Sequence, residues 1–307
     1  MAERLFKGTY GIVLTPFTES GNVDFALLEK YTAKISESEH INGLVVCGST
    51  GEFTRLSFDE NVELMKTVKN AIKPGKQFIC GATAGDGFNA KKYIQKINEI
   101  GADGILLAPP YYFTLTDEEI FAYYKDVAAS NEKKTPILGY NIPQCTNNVS
   151  VANFERLLDI DCIKGYKNSW NDMQEITSEI ALRNAKRPDV SMLTGLDACL
   201  YGTLALGGDG LFTAITYLMP EVMDYIYKMY KVEPEKSFAC QAKLIQLINI
   251  VNRFTFPYGY RVLSEALDMP LGYGREEIPE YTRAKADASA NEMRAVYKSI
   301  MNFIGGF

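Results

Sequence analysis

The stretch CIKGYKNSW, residues 162–170, sets two lysines close together at the end of an apolar run. An ammonium group is costly to bury, so a lysine there is either held in an ion pair or kept for chemistry. Alternation separates the two: a strand that turns Lys167 to one face turns Lys164 to the other. With Lys167 directed into a core, Gly165 and Ile163 point inward below it and leave space beneath the amine. A desolvated amine is more often neutral, the form that attacks a ketone. Two further stretches could assist. GSTGE (48–52) places the hydroxyls of Ser49 and Thr50 and a run of backbone N–H groups beside a turn that Gly51 permits, which can hold a small carboxylate. Tyr140, between ILG and NIP, brings a phenol towards the lysine from the preceding strand.

These groups need a scaffold, and the chain supplies a regular one. Short apolar, β-branched runs at 9–16, 42–49, 76–83, 102–109, 135–141, 161–167, 190–195 and 208–214 alternate with segments of helical periodicity. Ser57 is placed to cap the second helix, and Thr116 with Glu119 forms a capping box for the fourth. Continuous apolar strands alternating with helices predict a parallel sheet covered on its outer face, and eight such units predict a (β/α)8 TIM barrel of the α/β class. No G-x-G-x-x-G follows the first strand, which weighs against an open dinucleotide-binding sheet. Residues 1–232 are read as the barrel and 233–307 as a C-terminal helical extension packed on it, the two forming one structural unit.

In such a barrel the active site lies at the C-terminal ends of the strands. Strand two ends in CGSTGEF, four in APPYYF, five in GYNIPQC, six in GYKNSW and seven in TGLD. The set offers a lysine, several tyrosines and a Ser-Thr-Gly turn, with no metal-ligand cluster. It suits amine chemistry on a carbonyl compound.

Composition narrows the classes further. With 32 Lys and Arg against 38 Asp and Glu, the net charge is −6, which argues against a nucleic-acid partner. No apolar run reaches the roughly 18 residues of a membrane helix. The first residues lack the apolar core of a signal peptide, so a cytoplasmic enzyme is expected. Six scattered cysteines without a C-x-x-C read as reduced thiols. The single histidine, His40 in SESEH, reads as a loop or helix-end residue. A Ser-His-Asp triad or a multi-histidine metal site is therefore not expected, and acid–base work falls to other side chains. The mixed charges of 274–295 read as a solvated helix face, and the Met/Tyr stripe of 219–236 as core or subunit contact.

GSTGE (48–52), YNIP (140–143) and GYK (165–167), in this order and at these strand ends, resemble the dihydrodipicolinate synthase / N-acetylneuraminate lyase family of pyruvate-dependent class I aldolases. The resemblance extends from GIVLTPF (11–17) through GADGILLAPPYY (101–112) to GGDG (207–210). It implies that Lys167 forms a Schiff base with pyruvate or a 2-keto acid and that Tyr140 shuttles protons. It also implies that Ser49 and Thr50 hold the carboxylate, with Thr50 linking Tyr140 to a second tyrosine. Tyr112 matches that tyrosine, which in the family reaches in from a neighbouring subunit, and Phe212 matches a position whose backbone approaches pyruvate. No cofactor or metal is expected, and the family is commonly a homotetramer, a dimer of dimers.

Departures from the pattern bear on the substrate. Dihydrodipicolinate synthases typically carry an arginine where YNIPQC has Cys145, and a thiol does not replace a bidentate guanidinium. Sialic acid lyases usually place an acidic residue after the G-x-D turn. Here GLDAC keeps Gly195 and Asp197 but continues with Ala198, and Ala214 replaces a polar position. The expected pocket is rimmed by Phe53, Phe113, Gln144, Cys145, Trp170 and Asp197. It suits a 2-keto-3-deoxy sugar acid or another hydroxylated or aromatic 4-hydroxy-2-keto acid. Dihydrodipicolinate synthase itself is the enzyme alternative, ahead of N-acetylneuraminate lyase; a sugar-acid-binding regulator is the non-enzyme alternative.

Overall fold

A computed structural model describes residues 3–272 and 274–305. Eight strands, β1 (Gly8–Ile12), β2 (Gly43–Val46), β3 (Gln77–Gly81), β4 (Gly104–Leu107), β5 (Ile137–Asn141), β6 (Ile163–Asn168), β7 (Ser191–Thr194) and β8 (Gly210–Thr213), pair in parallel in chain order. β8 returns to β1, closing the (β/α)8 barrel. The paired strands are shorter than the apolar runs that predicted them. Several of those runs continue past their ladders at the C-terminal end, where the chain turns into the loops that carry the candidate residues.

The helices that follow the strands are α1 (Phe25–Ser36), α2 (Phe58–Ala71), α3 (Gly87–Ile100), α4 (Asp117–Ala129), α5 (Val151–Leu157), α6 (Met173–Lys186), α7 (Leu200–Ala205) and α8 (Ala214–Leu218). Both expected capping residues act as such: Ser57 with Glu60 and Thr116 with Glu119 each form a reciprocal capping box. Four more helices complete the chain, namely α9 (Pro220–Val232), α10 (Pro234–Val251), α11 (Tyr258–Ala266) and α12 (Glu280–Ile304). The Met/Tyr stripe on α9 is largely core, with Val222, Met223, Tyr225 and Ile226 buried. No described helix is long and apolar enough to cross a membrane.

Two apolar layers result. The larger lies between the sheet and its helices. The smaller fills the barrel, with Phe6 and Leu138 in it and Tyr10 packed on Phe212 at 4.5 Å between ring centroids. Strand β6 departs from simple alternation. Ile137 of β5 pairs with Ile163, but Leu138 pairs with Gly165, so Lys164 is an extra residue in a bulge. Ile163 consequently joins the outer layer rather than pointing into the barrel below Lys167 as alternation predicts. Lys164 meets Asp189 at 3.2 Å, outside the barrel.

The charged segment 274–295 is not simply a solvated face. Arg275 pairs with Glu60 at 2.5 Å and donates to the carbonyls of Gly21 and Arg55, tying the C-terminal region to the loops after β1 and β2.

Candidate active site

Lys167 is 3% exposed, and its Nζ lies 4.1 Å from the centroid of the Tyr140 ring. Parallel pairing sets Tyr140 directly opposite Lys167 across β5 and β6. Among the described residues no carboxylate forms an ion pair with Lys167, whereas Lys164 has Asp189. The ion-pair reading of a buried strand-end lysine thus applies to neither: Lys164 is paired but partly exposed, and Lys167 is buried but unpaired.

The room for the Lys167 side chain comes from β7, not from Gly165. A Cβ built on Gly165 would stand 2.8 Å from Leu138, so its space is already filled by Leu138 and Phe6. A Cβ on Gly195 would stand 2.4 Å from Lys167 Cε and 2.0 Å from Ser169 Oγ. Any larger residue at 195 would displace the lysine.

Tyr140 is 4% exposed, and its hydroxyl accepts a hydrogen bond from Ser169 Oγ at 3.2 Å. Ser169 was not singled out from the sequence, although it lies within the NSW segment that follows Lys167. No direct hydrogen bond joins Thr50 to Tyr140 among the described residues. Ser49 and Thr50 are half-buried in a single helical turn, Ser49–Gly51. Gly51 is needed there, because a Cβ would lie 2.7 Å from the Val13 carbonyl oxygen, and Thr15 Oγ1 donates to the Gly51 carbonyl at 2.6 Å.

The turn is fixed from a distance. Glu52, with φ +62° and a buried side chain, accepts from Arg261 Nη2 of α11 at 2.6 Å and Nε at 2.9 Å, and also pairs with Arg55. Arg261 also donates to the Thr15 carbonyl at 2.7 Å. Glu52 stands in the GSTGE motif, yet a partner 209 residues away leaves no mark in local spacing. Cys47 and Tyr112, which flank the strand ends, also hold positive φ values of +57° and +82°. Left-handed non-glycine backbone of this kind costs about 1–3 kcal/mol and is found preferentially at functional loops.

Asp197 is buried 5% exposed, with Oδ2 accepting from Tyr260 at 2.9 Å and its main-chain oxygen from Gln241 at 3.1 Å. Burial raises its carboxyl above the ordinary value, against the pull of its hydrogen-bond partners and of the Lys167 charge. Phe212 is buried against Tyr10 inside the barrel. Tyr112 is placed differently. It is 91% exposed and touches Phe113 edge-on, so within one chain it does not reach Tyr140 or Lys167.

A cavity of about 360 Å³ opens at the ends of β2, β4 and β5. Ser49, Phe53, Thr83, Ile142, Cys145 and Thr146 are among its walls. Of the expected rim, Phe53 and Cys145 line it, whereas Phe113, Gln144, Trp170 and Asp197 do not. Desolvation raises the Cys145 thiol above its ordinary value, and the Lys167 charge partly opposes this. Arg55 also reaches the cavity, but its guanidinium is engaged by Glu52 and Glu276. No cluster of three or more metal-capable side chains gathers among the described residues.

Comparison with known proteins places this geometry. The chain is 30% identical to a Thermococcus onnurineus protein named "Uncharacterized DapA-like lyase", over 80% of this chain and 83% of that one. It is 28% identical to the 4-hydroxy-tetrahydrodipicolinate synthase of a Synechococcus species, over 92% and 93% of the two chains. The structure superposes on 2-keto 3-deoxygluconate aldolase from Picrophilus torridus with a TM-score of 0.81, at 26% identity over 90% of this chain and all of that one. The model of the dihydrodipicolinate synthetase family matches residues 5–295, and the chain belongs to that family.

Proposed function

We propose that this protein is a class I aldolase that cleaves, or in reverse forms, a 4-hydroxy-2-keto acid through a Schiff base on Lys167. The carrying observation is the buried amine of Lys167, with no ion-pair partner among the described residues, standing over the ring of Tyr140. The neutral amine adds to the C2 carbonyl, and the carbinolamine hydroxyl leaves as water with a proton from Tyr140; the iminium that results draws electrons from the C3–C4 bond, and Tyr140 is left as the phenolate. Tyr140 takes the proton of the C4 hydroxyl as that bond breaks and the aldehyde departs. The enamine left on Lys167 is protonated at C3, and water then releases pyruvate. Ser49, Thr50 and the amides of the turn around Gly51 hold the substrate carboxylate, and the Phe212 backbone closes the opposite side.

The favoured substrate is a 2-keto-3-deoxy sugar acid or a similar hydroxylated acid. The cavity at the strand ends offers the hydroxyls of Ser49, Thr83 and Thr146, and its one guanidinium is already neutralised. The similarity to 2-keto 3-deoxygluconate aldolase supports the same reading. The likeness to 4-hydroxy-tetrahydrodipicolinate synthase favours the second reading, condensation of pyruvate with aspartate semialdehyde. Cys145 weighs against it, because a charge-assisted hydrogen bond lost there is worth about 1.5–3 kcal/mol, or roughly one to two powers of ten in binding. Values of kcat/KM for both reactions on one preparation test the choice. The hydroxylated 2-keto acid should be the better substrate. Efficient use of aspartate semialdehyde, insensitive to Cys145→Ala, would overturn it.

The exposure of Tyr112 supports a homotetramer in which this residue enters a neighbour's site. Tyr112→Phe should slow turnover in the assembled protein. Full activity in a verified monomer would remove Tyr112 from this role.

A further inference from the structure

The two residues that follow Tyr140 and Lys167 on their strands are asparagines, and both turn away from the barrel into the helix layer. Asn141 and Asn168 are paired across β5 and β6 and are 0% and 4% exposed. Asn168 donates to Glu179 Oε2 of α6 at 2.8 Å and accepts from the Trp170 amide at 2.7 Å. Asn141 donates to Glu175 Oε1, one turn earlier on α6, at 3.2 Å. Glu179 is 0% exposed and has no cationic partner among the described residues. Among the described residues its second oxygen, Oε1, has no hydrogen-bond partner, nor has the hydroxyl of Tyr166 that faces it. An isolated buried carboxylate is unfavourable, and an apolar side chain would fill the same place at lower cost, so the acid calls for another explanation.

We propose that Glu179 is a positioning residue for Lys167: from behind the barrel wall its carboxyl anchors Asn168, and with it the strand end that carries the amine. This rests on Lys167 being the reacting amine. Burial pushes Glu179 up to about 8, with the Asn168 hydrogen bond opposing and Glu175 raising it further. Burial thus favours the uncharged acid, and an O–H on Oε1 then gives the Tyr166 hydroxyl a donor. The titratable groups facing it are Glu175 on its own helix and Tyr166 on β6, with Tyr124 of α4 behind Tyr166. Phe154 of α5 packs on Tyr166, and Arg183, one turn further along α6, is held by Asp209. When Glu179 ionises, an uncompensated negative charge appears directly behind the strand end. Ionisation also removes the O–H that serves the Tyr166 hydroxyl, so the hold on the strand end that carries the amine changes with pH.

The test is the rate of covalent pyruvate capture on Lys167, trapped with borohydride, between about pH 6 and pH 10. The wild-type profile should break near pH 8, following Glu179. Glu179→Gln keeps an acceptor for Asn168 and cannot ionise, so its profile should lose that break. Glu175→Gln removes a like charge and should move the break to lower pH. Identical wild-type and Glu179→Gln profiles, or a break that Glu175→Gln leaves in place, would overturn this inference alone. Absence of wild-type capture on Lys167 would remove the reading of Lys167 and this inference with it.

Discussion

Lys167→Ala should lose turnover to the detection limit while the barrel stays folded. Removal of a covalent nucleophile has cost on the order of 10⁶-fold in another enzyme. No other lysine is placed to substitute, because Lys164 lies outside the barrel against Asp189. The fold should survive for a specific reason. The substitution breaks no ion pair among the described residues, so its cost is confined to the cavity left at one strand end. Steady-state turnover and a thermal melt on the same sample read both halves. Turnover within tenfold of wild type would contradict the assignment, whereas loss of the melting transition would contradict only the stability argument.

Tyr140→Phe should separate binding from chemistry. The ring beneath Lys167 Nζ is retained, so pyruvate capture should persist. The phenolic oxygen is lost, and with it the proton path to the C4 hydroxyl. General acid–base assistance contributes about 10²–10⁴-fold, and kcat should fall by that range. The fold should change little, since the lost Ser169 hydrogen bond has a net worth of about 0.5–1.5 kcal/mol. A near-wild-type kcat would mean that another group, Ser169 first among them, moves the proton.

Much of the scaffold was legible because it depends on local regularities. Apolar runs, helical periodicity and the Ser57 and Thr116 caps act within a few residues, and they predict the closed barrel. Contacts between distant residues were not legible. The bulge at Lys164 has no marker in IKG, so alternation turned Ile163 the wrong way. Gly195 is required because Lys167 crosses from the neighbouring strand, a contact that only the closed barrel creates. Arg261 reaches Glu52, and Tyr260 reaches Asp197, from a helix beyond the barrel that the sequence marked only as extension. Arg275, read with a solvated face, is instead a tie between loops. Glu179 carries no mark in the sequence, and only its burial distinguishes it. The same limit applies to the substrate, since Cys145 tells which partner is missing rather than which one is present.

The central claim, that Lys167 is the amine that forms the Schiff base, is tested most directly by covalent capture. The protein is incubated with pyruvate and borohydride, its intact mass is measured, and the labelled peptide is mapped. The account predicts one reduced pyruvyl group per chain, on Lys167, and no label in Lys167→Ala. A label on Lys164 would contradict the assignment, and no label at all would favour a sugar-acid-binding regulator built on the same barrel.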